Sequence, residues 1–223
     1  MIQNEVAKTL VDKIIYKPYS SIIDIGCGSG AVFKYLEDKK IISEKYIALD
    51  SSEEMLALHP SEAQVEKVCS NFDTSHAFST LDNVYDSTLV LSSSALQWSQ
   101  DIDSLFLNIS TLAKEAYFAI FTDKTFFTLH QSAKLTSPIY SAKALEQSIQ
   151  KYYDASFEIK TYKRYFDTSR EMFSYIKKSG VSGANKRLSY KEAKALMHSY
   201  PLNYLEFEVL FVKAVSKHKK IMI

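Results

Sequence analysis

The chain has 223 residues, 46% hydrophobic and 24% charged, with a formal net charge of +1, which suits one soluble globular domain and excludes collagenous and low-complexity chains. No apolar run reaches the roughly 20 residues that span a bilayer, the mixed-charge N-terminus has no signal-peptide core, and the balanced charge argues against nucleic-acid binding. Cys27 and Cys69 form neither a metal-spaced cluster nor a disulfide framework, so a reduced, cytoplasmic, monomeric protein without a metal is expected.

Short apolar runs alternate with helical patterns through the first 120 residues or so. A helical N-terminal stretch leads to a strand at 21–25, a glycine turn and a helix at 31–38. A second strand at 46–49 ends at Asp50, and Ser52 is the N-cap of a short helix. Strands follow at 65–69, 87–92 and 116–121, with a helix over 101–113 whose apolar residues 102, 105, 106, 109 and 112 keep the 3.6-residue period. This alternation predicts βαβ units and a mainly parallel sheet. Further on, helices are predicted at 141–153, 169–178 and 189–200, and alternating strands at 157–166 and 204–215. Adjacent strands with helices between them suit an antiparallel edge on a parallel sheet. With no repeat and no flexible linker, the chain reads as a single domain over 1–223. Residues 1–125 form its cofactor core, 126–223 its substrate side, and about 167–203 an inserted lid.

Glycine is scarce: of only 5, three fall at Gly26, Gly28 and Gly30, between a strand and a helix. Such a turn lets the backbone bend tightly and approach a ligand. The letters also satisfy the looser dinucleotide fingerprint through Gly26, Gly28 and Ala31, which leaves a dehydrogenase as one alternative. Asp24, however, stands where its charge would repel a pyrophosphate and attract an ammonium or sulfonium. Asp50, ending the second strand, can accept from two ribose hydroxyls. The pair fits S-adenosylmethionine better than a dinucleotide.

In these residues, D-x-G-x-G-x-G and the later strand-end Asp, the chain resembles the class I S-adenosylmethionine-dependent methyltransferases over residues 20–125. The resemblance implies an α/β fold with a Rossmann-like, seven-stranded, mainly parallel sheet, strands 157–166 and 204–215 forming its antiparallel edge, and a helical lid insertion. It implies S-adenosyl-L-methionine as cofactor and S-adenosyl-L-homocysteine as product. By position, Asp24 and the backbone of Gly26, Cys27, Gly28 and Gly30 would border the methionine part, and Asp50 the ribose. Met55 would pack on the adenine, and Asn71 and Phe72 would meet its amino group and ring. Ser51, Ser92 and Ser93 complete the expected cofactor set. Many family members carry Asp at the position of Asn71, whose carbonyl can still accept from an amine.

A narrower resemblance lies in Ala95-Leu96-Gln97-Trp98, which is similar to two groups that methylate carboxylates: the malonyl-acyl-carrier-protein O-methyltransferases of biotin synthesis and the trans-aconitate methyltransferases. Leu129-His130-Gln131 after Phe121-Thr122, the segment 172–180 and the segment 200–207 are similar to the biotin group. Members of that group carry a further segment before the position of Gln3 that helps to close the cofactor pocket; a start codon upstream, or another closing element, is expected here. The implied reaction is an in-line displacement in which a malonyl carboxylate oxygen attacks the sulfonium methyl. A carboxylic acid is ionised at neutral pH, so no catalytic dyad is expected, and proximity and exclusion of water carry the rate.

The substrate side is read from charge. Residues 1–150 hold 12 basic and 19 acidic residues, and residues 151–223 hold 15 and 7, so the C-terminal third is basic, with Lys177, Lys178, Lys186 and Lys191 among its cations. That suits an acidic acyl carrier protein bearing malonyl-phosphopantetheine. Arg164, Arg170 and Arg187 are the chain's three arginines, and one of them is expected to pair with the malonyl carboxylate or the phosphopantetheine phosphate. With Gln97, Trp98 and His130 they form the expected substrate set. Two other functions stay open: an aconitate-like small-molecule carboxyl methyltransferase, and a cofactor-binding interaction protein without catalysis.

Overall fold

The computed structural model describes residues 1–74, 76–79, 81, 85–179 and 190–218. Arg187, Lys186, Gly180 and Gly183 lie outside them. Seven strands form one sheet: β1 (Tyr19–Ile25), β2 (Ser43–Asp50), β3 (Val65–Cys69), β4 (Thr88–Ser93), β5 (Glu115–Phe121), β6 (Tyr153–Tyr165) and β7 (Tyr204–Ser216). Their order is β3-β2-β1-β4-β5-β7-β6. The first five are parallel, with Ile23 beside Ile47 and Val90. Only β7 is reversed, pairing antiparallel with β5 on one side and β6 on the other. The outermost strand, β6, therefore runs in the same sense as β1–β5.

The central strands are continuous apolar runs because both faces are covered. One face packs against α1 (Ile2–Val11) and α2 (Ala31–Asp38), through Val6, Leu10, Val32 and Phe33 against Ile22, Tyr46, Leu89 and Leu91. The other packs against α5 (Ile102–Ser110) and α7 (Ala142–Tyr152), through Phe106, Ile109, Leu145 and Ile149 against Ile23, Val90, Phe118 and Leu210. Each such side chain contributes about 1.5–3 kcal/mol.

The helices between β6 and β7 are α8 (Ser169–Ser179) and α9 (Tyr190–Ser199). The predicted lid is rooted in the first core: Met172, Ile176, Leu196 and Tyr200 are buried with Leu205, Phe207 and Phe211 of β7. The exposed edge of β6 carries Glu158, Lys160, Lys163 and Arg164, charges that discourage another strand from pairing there. Among the described residues, no helix is long and apolar enough to cross a membrane.

Three further short α-helices are α3 (Glu53–Leu58), α4 (His76–Ser79) and α6 (Phe127–Ala133), and single 3-10 turns lie at Tyr85–Ser87 and Leu96–Trp98. The sequence pattern predicts neither α4 nor α6. It also starts β6 at residue 157, whereas the strand begins at Tyr153 directly from the end of α7.

Candidate functional site

The turn after β1 holds Gly26, Gly28 and Gly30 at φ of 72°, 53° and 85°, the left-handed region that side-chain-bearing residues rarely enter. Gly26 has a second constraint. A Cβ there would lie 2.2 Å from the Cβ of Ala95 in the loop after β4, so the two loops meet with no room for a methyl group. The N–H groups of Gly26 and Cys27 both donate to the carbonyl of Leu49, at 2.7 and 3.1 Å, which ties the turn to the end of β2.

Asp50, at that end, is held by two backbone donors. Gly28 N–H reaches Oδ2 and Ser52 N–H reaches Oδ1, each at 2.9 Å. Both oxygens keep a lone pair for further donors, so the carboxylate is a fixed acceptor for a diol. Ser52 also accepts from Met55 N–H at 3.3 Å, which starts α3.

Asp24 lies behind the turn, fully buried. Tyr46 Oη donates to its Oδ2 at 2.7 Å, and its Oδ1 has no partner among the described residues. Burial pushes this carboxyl up to about 7, the Tyr46 hydrogen bond opposes, and the charge of Asp50 adds to the rise. Burial also pushes the Cys27 thiol up, with Asp24 and Asp50 adding to the effect, so Cys27 is no ready nucleophile.

The opposite wall comes from the exit of β4. Ser94 adopts φ 64°, strained for a serine and held by its N–H donating to Ala119 O at 2.8 Å. The buried Oγ atoms of Ser93 and Ser94 have no partner among the described residues. Gln97 is buried and donates to Ser94 O at 2.7 Å, bracing the loop. Trp98 is 37% exposed and lines the opening, so it is a wall of the site. After β3, Asn71 Oδ1 accepts from Asp73 N–H at 3.0 Å, and Asp73 accepts from Ser99 Oγ at 2.6 Å. That bond links the two outer loops.

Between these walls is an open cleft of about 400 Å³, lined by Gly26, Asp50, Ser51, Asn71, Phe72, Asp73, Ser94, Ala95 and Trp98. Six of these are expected from the sequence; Asp73, Ser94 and Ala95 are not. Asp73 follows the Asn71-Phe72 pair directly, which is the one signal that could have found it. Several expected residues lie off the wall. Met55 is on α3 and 43% exposed, Ser92 is buried with its hydroxyl donating to Ile25 O at 2.7 Å, and Gly30 backs onto His59 and Pro60. Of the residues expected at the substrate, His130 sits on α6, half-buried, with no partner on Nδ1 among the described residues; burial pushes its imidazole down and Glu206 opposes. Arg164 and Arg170 are exposed, on β6 and in the first turn of α8.

The residues present fit the expected cofactor. An acidic diol acceptor, a glycine turn with no side chain in the way, and an aromatic and an amide on the far side suit a cationic nucleoside, and Asp24 behind the turn adds a carboxyl whose Oδ1 has no partner among the described residues. They do not suit a pyrophosphate.

Comparison with known proteins agrees. Residues 23–120 match the family described as "Methyltransferase domain". Two proteins named malonyl-[acyl-carrier protein] O-methyltransferase are similar to this chain. The one from Anoxybacillus flavithermus is 24% identical, the alignment covering 92% of this chain and 83% of that protein. The one from Acetivibrio thermocellus is 26% identical, covering 83% and 74%. The fold is similar to that of the YcgJ protein of Bacillus subtilis, with a TM-score of 0.66 at 12% identity, covering 96% of this chain and 99% of that one. It is also similar to an S-adenosylmethionine-dependent methyltransferase of Mesorhizobium loti, at 0.54 and 15%, covering 95% and 99%. Sheet order, glycine turn and acidic cleft agree with these matches, and residues 23–120 are a methyltransferase domain of the S-adenosylmethionine-dependent, class I type.

Proposed function

We propose that this methyltransferase esterifies the free carboxylate of a malonyl thioester carried on acyl carrier protein, an early step of biotin synthesis. The observation that carries the reading is the chemistry of the cleft wall. Its only titratable side chains among the described residues are Asp50 and Asp73, and both accept hydrogen bonds from their own surroundings. With no histidine, lysine or cysteine on that wall and Asp50 assigned to the ribose, the cleft favours an acceptor that arrives already nucleophilic. A carboxylate does; an alcohol or a protonated amine does not.

Bound S-adenosylmethionine supplies an electrophilic methyl group. The chain's part is to place it and keep water out. Asp50 fixes the ribose, Asn71 and Phe72 the adenine, and the Gly26 and Ser94 backbones narrow the cleft where the acceptor enters past Trp98. The shared name of the two relatives, aligned along most of this chain, supports the malonyl thioester, and the basic C-terminal third supports an acidic carrier.

The test is methyl-ester formation, read by mass spectrometry, with malonyl-acyl carrier protein, malonyl-CoA, free malonate and trans-aconitate offered separately. Preferred turnover of the carrier thioester and rescue of a biotin auxotroph lacking this step are expected. Faster turnover of a free tricarboxylate would replace the reading with a small-molecule carboxyl methyltransferase. Cofactor binding with no ester from any of the four would leave an interaction protein.

A further inference from the structure

The chain contains 27 cationic Lys and Arg residues, and only Arg164, Arg170 and Arg187 are arginines. All six ion pairs among the described residues use lysine. Arg164 joins none of them. Its guanidinium instead lies over the ring of Tyr175 at 4.5 Å and near that of Phe166 at 5.6 Å. The two rings pack at 5.5 Å, and Tyr175 meets Phe207 of the core edge-on at 6.3 Å. The two rings hold the guanidinium in place while its N–H fork has no acceptor among the described residues, which prepares it for a bidentate oxyanion at little further ordering cost.

Its place in the sheet says which anion. Because β6 runs in the sense of β1–β5, its C-terminal end lies on the same rim as the glycine turn and Ser94. Across the sheet from β4 to β6 is three strand spacings, roughly 14 Å, and Arg164 also stands six residues, about 20 Å, beyond Glu158, which is level with Ser93 through Ala119 and Phe211. That is too far for a group on the three-carbon malonyl unit whose oxygen must touch the methyl donor. It suits an anion further along the acceptor.

We propose that Arg164 is the clamp for the phosphate of the acceptor's phosphopantetheine arm, remote from the reacting carboxylate. This rests on the carrier-thioester reading above, and the experiment separates the two. Purified wild type, Arg164→Ala and Arg164→Lys are compared on malonyl-4′-phosphopantetheine and on its phosphate-free counterpart, malonyl-pantetheine. In parallel, 4′-phosphopantetheine alone is titrated by calorimetry, a readout that needs no turnover. For Arg164→Ala, KM on the phosphate-bearing substrate should rise about tenfold or more, the value of one charged hydrogen-bonded contact. KM on the phosphate-free substrate should stay put, and binding of 4′-phosphopantetheine should be lost. Arg164→Lys keeps the charge but not the flat fork and should fall between. Unchanged KM and unchanged binding overturn the clamp, and so does an equal loss on both substrates, which would assign Arg164 to the carboxylate. If wild type methylates malonyl-acyl carrier protein but neither small thioester, KM is compared on the carrier substrate instead; if it methylates none of the three, the function reading fails while the titration still judges the phosphate site. A thermal melt and cofactor binding equal to wild type establish that the variants are folded.

Discussion

Asp24 is fully buried, with one oxygen that has no donor among the described residues, and burial holds its proton up to about 7 against an ordinary 3.8. Between those limits the native state keeps a proton that the unfolded chain has already released. Stability from this group is therefore complete at low pH and is lost as pH rises through the window, by up to about 1.4 kcal/mol per pH unit. Urea unfolding across that range should show this slope, and Asp24→Asn should flatten it. If Asp24 pairs with the cationic methionine part, cofactor affinity rises with pH through the same midpoint, measurable by calorimetry. Asp50→Asn makes a different error. Two N–H donors converge on its two oxygens, so the amide must turn its NH2 against one of them. The cofactor Kd is expected to rise about tenfold or more. At Gly26, substitution by Ala meets both the positive φ and the Ala95 Cβ; a loss of about 1–3 kcal/mol in chemical unfolding is expected, with Ala95→Gly restoring the space but not the backbone strain. The turn and Asp50 were legible because glycine spacing and a strand-end acid are local signals. Ser94 and Ala95 were not: the left-handed backbone at one and the small size of the other are imposed by packing against a turn far back along the chain.

The same division between local and distant causes runs through the secondary structure. Helices whose caps are their own neighbours were readable. Ser52 caps α3, and Asp101 caps α5 by accepting from Asp103 and Ser104 N–H. Helix α6 has no such residue. It starts from Phe126 at φ 58°, and its cap comes from β7, where Glu206 Oε1 accepts from Thr128 N–H at 2.6 Å and Glu206 O accepts from Phe126 N–H at 2.8 Å. A carboxylate at a helix N-terminus also meets the favourable end of the dipole. Glu206→Ala is expected to cost about 0.5–2 kcal/mol and to speed hydrogen exchange at the α6 amides before any other helix. Glu206→Gln, keeping an acceptor, should cost less. The start of β6 was misplaced for another reason: α7 passes into the strand without a turn, so no breaker residue marks the boundary, and only the pairing of Tyr153 with Ser216 defines it.

Over the whole molecule the charge is divided along the chain, residues 1–150 being net acidic and residues 151–223 net basic. Attraction between exposed charges weakens beyond about 10 Å at ordinary salt. Raising ionic strength should therefore raise KM for an acidic carrier substrate steeply while barely moving the cofactor Kd, and steady-state kinetics at several salt concentrations would check both. Strand alternation made the parallel sheet predictable, and the apposition of two strands with helices between them made its antiparallel edge predictable. What no residue pattern announced is that β7, the last strand of the chain, is not the outermost in space. It fills the gap between β5 and β6 and bonds to both. During synthesis the edges of β5 and β6 therefore wait, unpaired, until residues 204–216 leave the ribosome, and the rim that holds Arg164 is the last part of the sheet to exist. A nascent chain stopped at the end of α9 would hold the glycine turn and every residue of the cleft wall, yet offer two bare strand edges to any neighbour, so chaperone engagement should persist until β7 closes the gap.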